Sequence, residues 1–72
     1  LNIKKEFTEI ECNRFRRDCN FTDEERAVFD LRVKNHSIIE IQSKLQEIGI
    51  YMSESTLNRR IRNIKKKIYK VI

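Results

Sequence analysis

An all-α domain of four helices is what this 72-residue sequence predicts, and three observations carry it. Hydroxyl residues followed three positions later by Glu recur along the chain, the signature of a capped helix start. Apolar residues return at spacings of three and four, the period of a helix with one buried face. The chain holds one Gly and no Pro, too few for the turns of a β-sandwich or for a phosphate-cradling Gly loop.

The caps divide the chain in order. Thr8-Glu9-Ile10-Glu11 opens a first helix over about 8–19, Thr22-Asp23-Glu24-Glu25 a second over about 22–34, and Ser37-Ile38-Ile39-Glu40 a third over about 37–48. In such a box the hydroxyl accepts from the backbone N–H three residues on, and the Glu accepts from the N–H of the cap. Gly49 follows the third helix and suits a left-handed C-terminal cap. Ser53-Glu54-Ser55-Thr56 lacks the reciprocal Glu. It still gives a Ser cap and an acidic first residue to a fourth helix over about 53–71. Met52 and Leu57 have the spacing of a hydrophobic staple across that start.

Periodicity assigns the core. Phe7, Ile10, Phe15 and Cys19 come from the first segment, and Phe21, Val28, Phe29 and Leu31 from the second. Ile38, Ile41, Leu45 and Ile48 come from the third. In the fourth, Leu57, Ile61, Ile64, Ile68 and Val71 make one narrow stripe, with Ser55, Arg59, Arg62, Lys66 and Lys70 opposite and Asn58 and Asn63 at the margins. Nineteen residues make a helix of about 28 Å. Its C-terminal end is left to pack on the first helix or on a second copy of the chain, so a homodimer stays open.

Seventy-two residues hold one domain and exclude a large enzyme core. The opening residue is Leu1 and not Met, so a fragment or a trimmed chain is expected. The net charge of +5 is unevenly placed. Residues 53–72 hold seven Lys or Arg against Glu54 alone, while residues 1–52 hold nine basic and ten acidic residues. A basic stretch so focused suits a polyanionic partner. No apolar run approaches the ~20 residues of a membrane span, and nothing resembles a secretory signal. Two cysteines and no secretory feature fit a reducing, cytoplasmic setting.

No enzyme activity, cofactor or metal is expected. Cys12 and Cys19 are two helical turns apart, about 10 Å along the axis, too far for a disulfide. Together with His36 they lack a zinc-ligand spacing, and buried thiols are the simpler reading. His36 precedes the cap Ser37 and suits a turn. A Cys-His pair has no third orienting group. Glu24 and Glu25 read as helix N-terminal charges rather than as an acid–base pair.

Two helices that each bury one face, the second showing polar residues from its first turns, have the layout of a helix-turn-helix. A helix of this kind enters a DNA major groove about 12 Å wide. Three segments strengthen the reading: Thr22-Asp23-Glu24-Glu25-Arg26-Ala27-Val28-Phe29-Asp30-Leu31-Arg32, then Ser37-Ile38-Ile39-Glu40-Ile41, then Met52-Ser53-Glu54-Ser55-Thr56-Leu57-Asn58-Arg59-Arg60-Ile61. In order and spacing they resemble the helix-turn-helix of region four of bacterial sigma factors, and equally the LuxR-type response-regulator domain. Ile64-Lys65-Lys66-Lys67-Ile68 is similar to the ending of both. The resemblance covers residues 21–69 of a single domain over 1–72, with residues 1–20 adding an N-terminal helix.

The resemblance implies double-stranded DNA as partner, a transcription regulator or sigma-like factor of bacterial or phage type as function, and RNA polymerase as a further contact. It places Ser55, Asn58, Arg59 and Arg62 against base edges, an Arg on guanine and Asn58 on adenine. It places Ser53, Thr56, Arg60, Lys66 and Lys70 against phosphates. Each of three has a plainer role: Ser53 as a cap, Thr56 packed on the preceding helix, and Arg60 paired with an acidic neighbour. Lys65 and Lys67 flank the stripe and read as snorkelling side chains. The chain departs from the pattern in three ways. Seven steps from Leu45 to Met52 exceed the family's tight turn. Gln42 or Ser43 stands where a small Ala lets the helices approach. The further helix of LuxR-type domains is replaced by one at the N-terminus. The alternative class is a protein-interaction module built on the C-terminal amphipathic helix. Its stripe lasts barely two heptads, short for a coiled coil. Three preceding capped helices give the stripe a core to face instead of a membrane surface.

Overall fold

The structure, a computed structural model, describes residues 7–72. Among them are four helices and no strand: α1 (Glu9–Asp18), α2 (Asp23–Val33), α3 (Ile38–Glu47) and α4 (Glu54–Val71). The part of the expected N-terminal segment that spans residues 1–6 lies outside the described residues.

Each helix starts where its hydroxyl places it. Thr8, Thr22 and Ser37 are extended N-caps, and all three complete the reciprocal box. The N–H groups of Glu11, Glu25 and Glu40 each donate to the cap hydroxyl at 3.2 Å. The cap N–H groups donate back to the carboxylates at 3.0, 2.9 and 2.9 Å. Ser53 accepts from the Thr56 N–H at 3.2 Å. Each contact satisfies a helix-end donor that would otherwise need water.

The helix ends depend on left-handed residues. Gly49 has φ +83°. That turn lets its N–H donate to the Gln46 carbonyl at 3.0 Å and the Ile50 N–H to the Leu45 carbonyl at 2.9 Å, both bonds of a Schellman cap. Asn35, at φ +70°, ends α2 the same way, through Arg32 at 3.0 Å and Leu31 at 3.3 Å. Asn20, at φ +53°, follows α1. Of the three, only the Gly is legible in the sequence. Asn tolerates this backbone through its short polar side chain, and so does the same work less visibly.

α4 packs against α1, α2 and α3 and runs along the long axis of the molecule. Its 18 residues span about 27 Å, close to the longest extent of 30 Å. Leu57, Ile61, Ile64 and Ile68 are buried against Phe15, Val28, Phe29, Ile41 and Leu45, and Val71 is half-buried beside them. Phe7 meets Phe15 edge-on with centroids 4.7 Å apart, and Phe21 lies 5.1 Å from Phe29. Arg16 ties α1 to α2: its guanidinium lies 5.4 Å from the Phe29 centroid and its Nε donates to Asp30 at 2.7 Å. Cys12 and Cys19 are free and buried, and burial pushes both thiols up from their ordinary range.

Two core expectations fail. Ile10 is 82% exposed, because the buried side of α1 runs through Cys12, Phe15 and Cys19, and Ile10 falls across the helix from them. Ile48 is 65% exposed because it caps α3. The turn at Gly49 then brings Ile50 back onto the core in its place. Met52 packs on the core ahead of the fully buried Leu57, as a staple requires.

A Cβ at position 49 would meet no atom within 4 Å, so replacing Gly49 with Ala tests backbone conformation and not space. Gly49→Ala is expected to destabilise the fold by about 1–2 kcal/mol, read as a lower urea midpoint at unchanged slope.

Candidate nucleic-acid interface

The stripe on α4 fixes what the helix shows to solvent. Once Leu57, Ile61, Ile64 and Ile68 face inward, residues half a turn away must face out. Ser55, Asn58, Arg59, Arg62, Lys66 and Lys70 are all exposed. Arg59, Arg62, Lys66 and Lys70 follow one another at helical spacing over eleven steps, about 16 Å of axis. Among the described residues none of these four meets a carboxylate within salt-bridge distance. They form an uncompensated basic strip beside the amide of Asn58.

The positive end of α4 carries three hydroxyls. Ser53 accepts the Thr56 N–H and also lies 3.0 Å from the Thr56 hydroxyl and 3.3 Å from that of Ser55. Ser53 therefore works as the cap. Thr56 is half-buried, and Ser55 is the hydroxyl turned furthest toward the strip.

Two cations of α4 are paired, half-buried, with the first turn of α2. Arg60 Nη2 lies 3.4 Å from Glu24 Oε1. This is the acidic-neighbour arrangement given above as its plainer role. Arg60 Nε is buried with no hydrogen-bond partner among the described residues, so the guanidinium is held by one long contact. Lys67 is better seated. Its ammonium donates to Glu25 at 2.5 Å and to the Asn20 carbonyl at 3.2 Å. Glu25 is buried. Burial raises its carboxyl pKa, but the hydrogen bonds from Lys67 and from the Thr22 cap together outweigh that and hold it below its ordinary 4.5. The outer end of α4 is fastened by Arg14, which donates to the Val71 carbonyl at 2.9 Å. Lys65, at the opposite margin of the stripe, is half-buried.

The connection of residues 48–53 aims α4. Gln42 Nε2 donates to the Met52 carbonyl at 2.9 Å, which binds the last residue before the Ser53 cap to α3. The amide thus anchors the connection to the helix that precedes it. That bond has no signal in sequence periodicity, because it depends on how the loop returns. His36 sits in the α2–α3 turn, half-buried, with Nδ1 3.6 Å from Glu40 Oε2. The Ser37 cap bonds, and then His36, hold Glu40 below its usual range. Among the described residues no three His, Cys, Asp or Glu side chains gather as a metal site, and no helix is long and apolar enough to cross a membrane.

Glu25→Gln removes the carboxylate from Lys67 while keeping the shape of the capping box. Above the ordinary glutamate value a lowered carboxyl favours the folded state, and that contribution is lost as pH falls through the folded value. Wild type is therefore expected to exceed the variant by about 1–3 kcal/mol at neutral pH and to lose that margin below pH 4.5. Urea unfolding at a series of pH values measures it, and a margin independent of pH would count against the pairing.

No protein-family model, curated protein or solved structure matches this chain significantly.

Proposed function

We propose that this chain binds double-stranded DNA in a sequence-specific manner, with α3, the connection 48–53 and α4 acting as a helix-turn-helix and α4 as the recognition helix. The observation that carries the reading is the strip of Arg59, Arg62, Lys66 and Lys70, exposed, without a carboxylate partner among the described residues, and continuous with Ser55 and Asn58 at the positive end of the same helix. Structural cations find carboxylates, as Arg60 and Lys67 do; cations kept free on one face suit an external polyanion. A helix presented edge-on over about 27 Å fits a major groove. Its first turns bear the residues able to read base edges: an Arg fork for guanine and the Asn58 amide for adenine.

Ser55, Asn58, Arg59 and Arg62 are the base-reading residues in this proposal. Lys66 and Lys70 meet phosphates as α4 leaves the groove, while Ser53, Thr56 and Arg60 hold the helix start in place and stand close to the same backbone. The resemblance to sigma region four and LuxR-type domains gives the setting: a cytoplasmic transcription regulator, or a sigma-like factor that also touches RNA polymerase. A palindromic target would indicate a homodimer.

The tests compare two variants on duplexes selected from a random pool. Arg59→Ala is expected to lose about 1–3 kcal/mol on the preferred base and to relax selectivity at that position; Lys70→Ala is expected to weaken every sequence about equally. Affinity of the wild type should fall steeply as salt rises. Sequence-blind effects of both substitutions would remove the base-reading assignment, and salt-indifferent binding would favour a protein partner.

A further inference from the structure

The connection before α4 holds one side chain out in solvent. Ile50 and Met52 are half-buried on the core, and Tyr51 between them is 77% exposed. The segment is fastened on both sides of that residue: the Ile50 N–H donates to the Leu45 carbonyl at 2.9 Å, and Gln42 Nε2 donates to the Met52 carbonyl at 2.9 Å. Tyr51 is thus displayed from an anchored segment, so little backbone freedom remains to be lost when it makes a contact. Among the described residues its hydroxyl has no hydrogen-bond partner. The neighbouring hydroxyls of Ser53 and Thr56 are already engaged in the α4 cap.

We infer that Tyr51 is a phosphate-contacting residue that seats α4 on the duplex, its hydroxyl donating to a phosphate oxygen on the strand that borders the groove at the start of the helix. The inference rests on the DNA reading above. Tyr51 stands two residues before the Ser53 cap, outside α4. It therefore precedes the strip of Asn58, Arg59 and Arg62 in the chain and is displayed at the start of the helix. Roughly half to two-thirds of protein–DNA hydrogen bonds go to phosphate and sugar, Tyr hydroxyls among their donors, and such contacts fix register. A phenol with a pKa near ~10 is protonated at neutral pH and can donate to an oxygen that only accepts. The long connection, which departs from the families that this chain resembles, thereby gains a role: it adds a contact that a tight turn has no room to present.

Tyr51→Phe removes the donor and keeps the ring. On a mixed-sequence duplex pool the variant is expected to bind about tenfold more weakly than wild type. The slope of log affinity against log salt should not change, since no cation–phosphate contact is lost. Base preference and helical circular dichroism should also stay as in wild type. Wild-type affinity in Tyr51→Phe overturns the assignment even if Tyr51→Ala binds weakly, because the ring alone would then make the contact. Altered base preference overturns it too, by moving the residue to a base edge. Either result leaves the DNA reading standing. A wild type that retains no duplex at low salt overturns both.

Discussion

Everything in this molecule follows from the burial of one edge of α4. Leu57, Ile61, Ile64 and Ile68 meet side chains from all three other helices. Each buried aliphatic side chain contributes about 1.5–3 kcal/mol relative to exposure. A turn of α4 about its own axis by even one residue would carry Ile61 or Leu57 toward water and bring a Lys or Asn into the core. The packing therefore fixes the rotation of the helix, and the rotation decides which cations are free.

The first turn of α2 refines that sorting. Its acidic residues serve the helix start, where negative charge is favoured, and two of them also reach α4. Glu24 and Glu25 lie beside Arg60 and Lys67, seven residues apart and so on one flank of α4. The two pairs are not equal. The Arg60 and Glu24 side chains are each more than a third exposed, and such a contact is worth little once water screens it. Glu25 is buried, bonded to its own cap and to Lys67 at once. It joins the capping of one helix to the placement of another.

Most of the fold is legible in the sequence because the signals are local. A capping box needs only four residues, and three boxes place three helix starts. The α4 stripe is legible for a similar reason: five apolar residues at spacings of four and three determine a face without help from the rest of the chain. The errors come where the partner is distant. Ile10 and Ile48 are apolar residues near helix positions that suit a core, yet whether a core lies opposite them depends on the packing of other helices. Ile50 packs on the core only because Gly49 reverses the chain. Gln42 is polar, and nothing in its neighbourhood announces the Met52 carbonyl ten residues on. The candidate strip was visible as charge. Its division into free and paired cations was not, because Glu24 and Glu25 are more than thirty residues from their partners.

The free strip also has a cost to the helix that carries it. Arg59, Arg62, Lys66 and Lys70 stand at spacings of three and four, where like charges repel by about 0.2–0.5 kcal/mol per pair. Glu54 is the sole acidic residue in α4 to offset them. An isolated peptide with this pattern would be a poor helix, so the order of α4 comes from its buried edge and from capping by Ser53 and Arg14. An anion laid along the strip would cancel the repulsion while leaving the buried edge untouched. Such a ligand binds the ordered helix better than the unfolded chain, and so adds to the stability of the fold by mass action. The same side chains that weaken the helix in isolation then become the means by which a bound polyanion strengthens it.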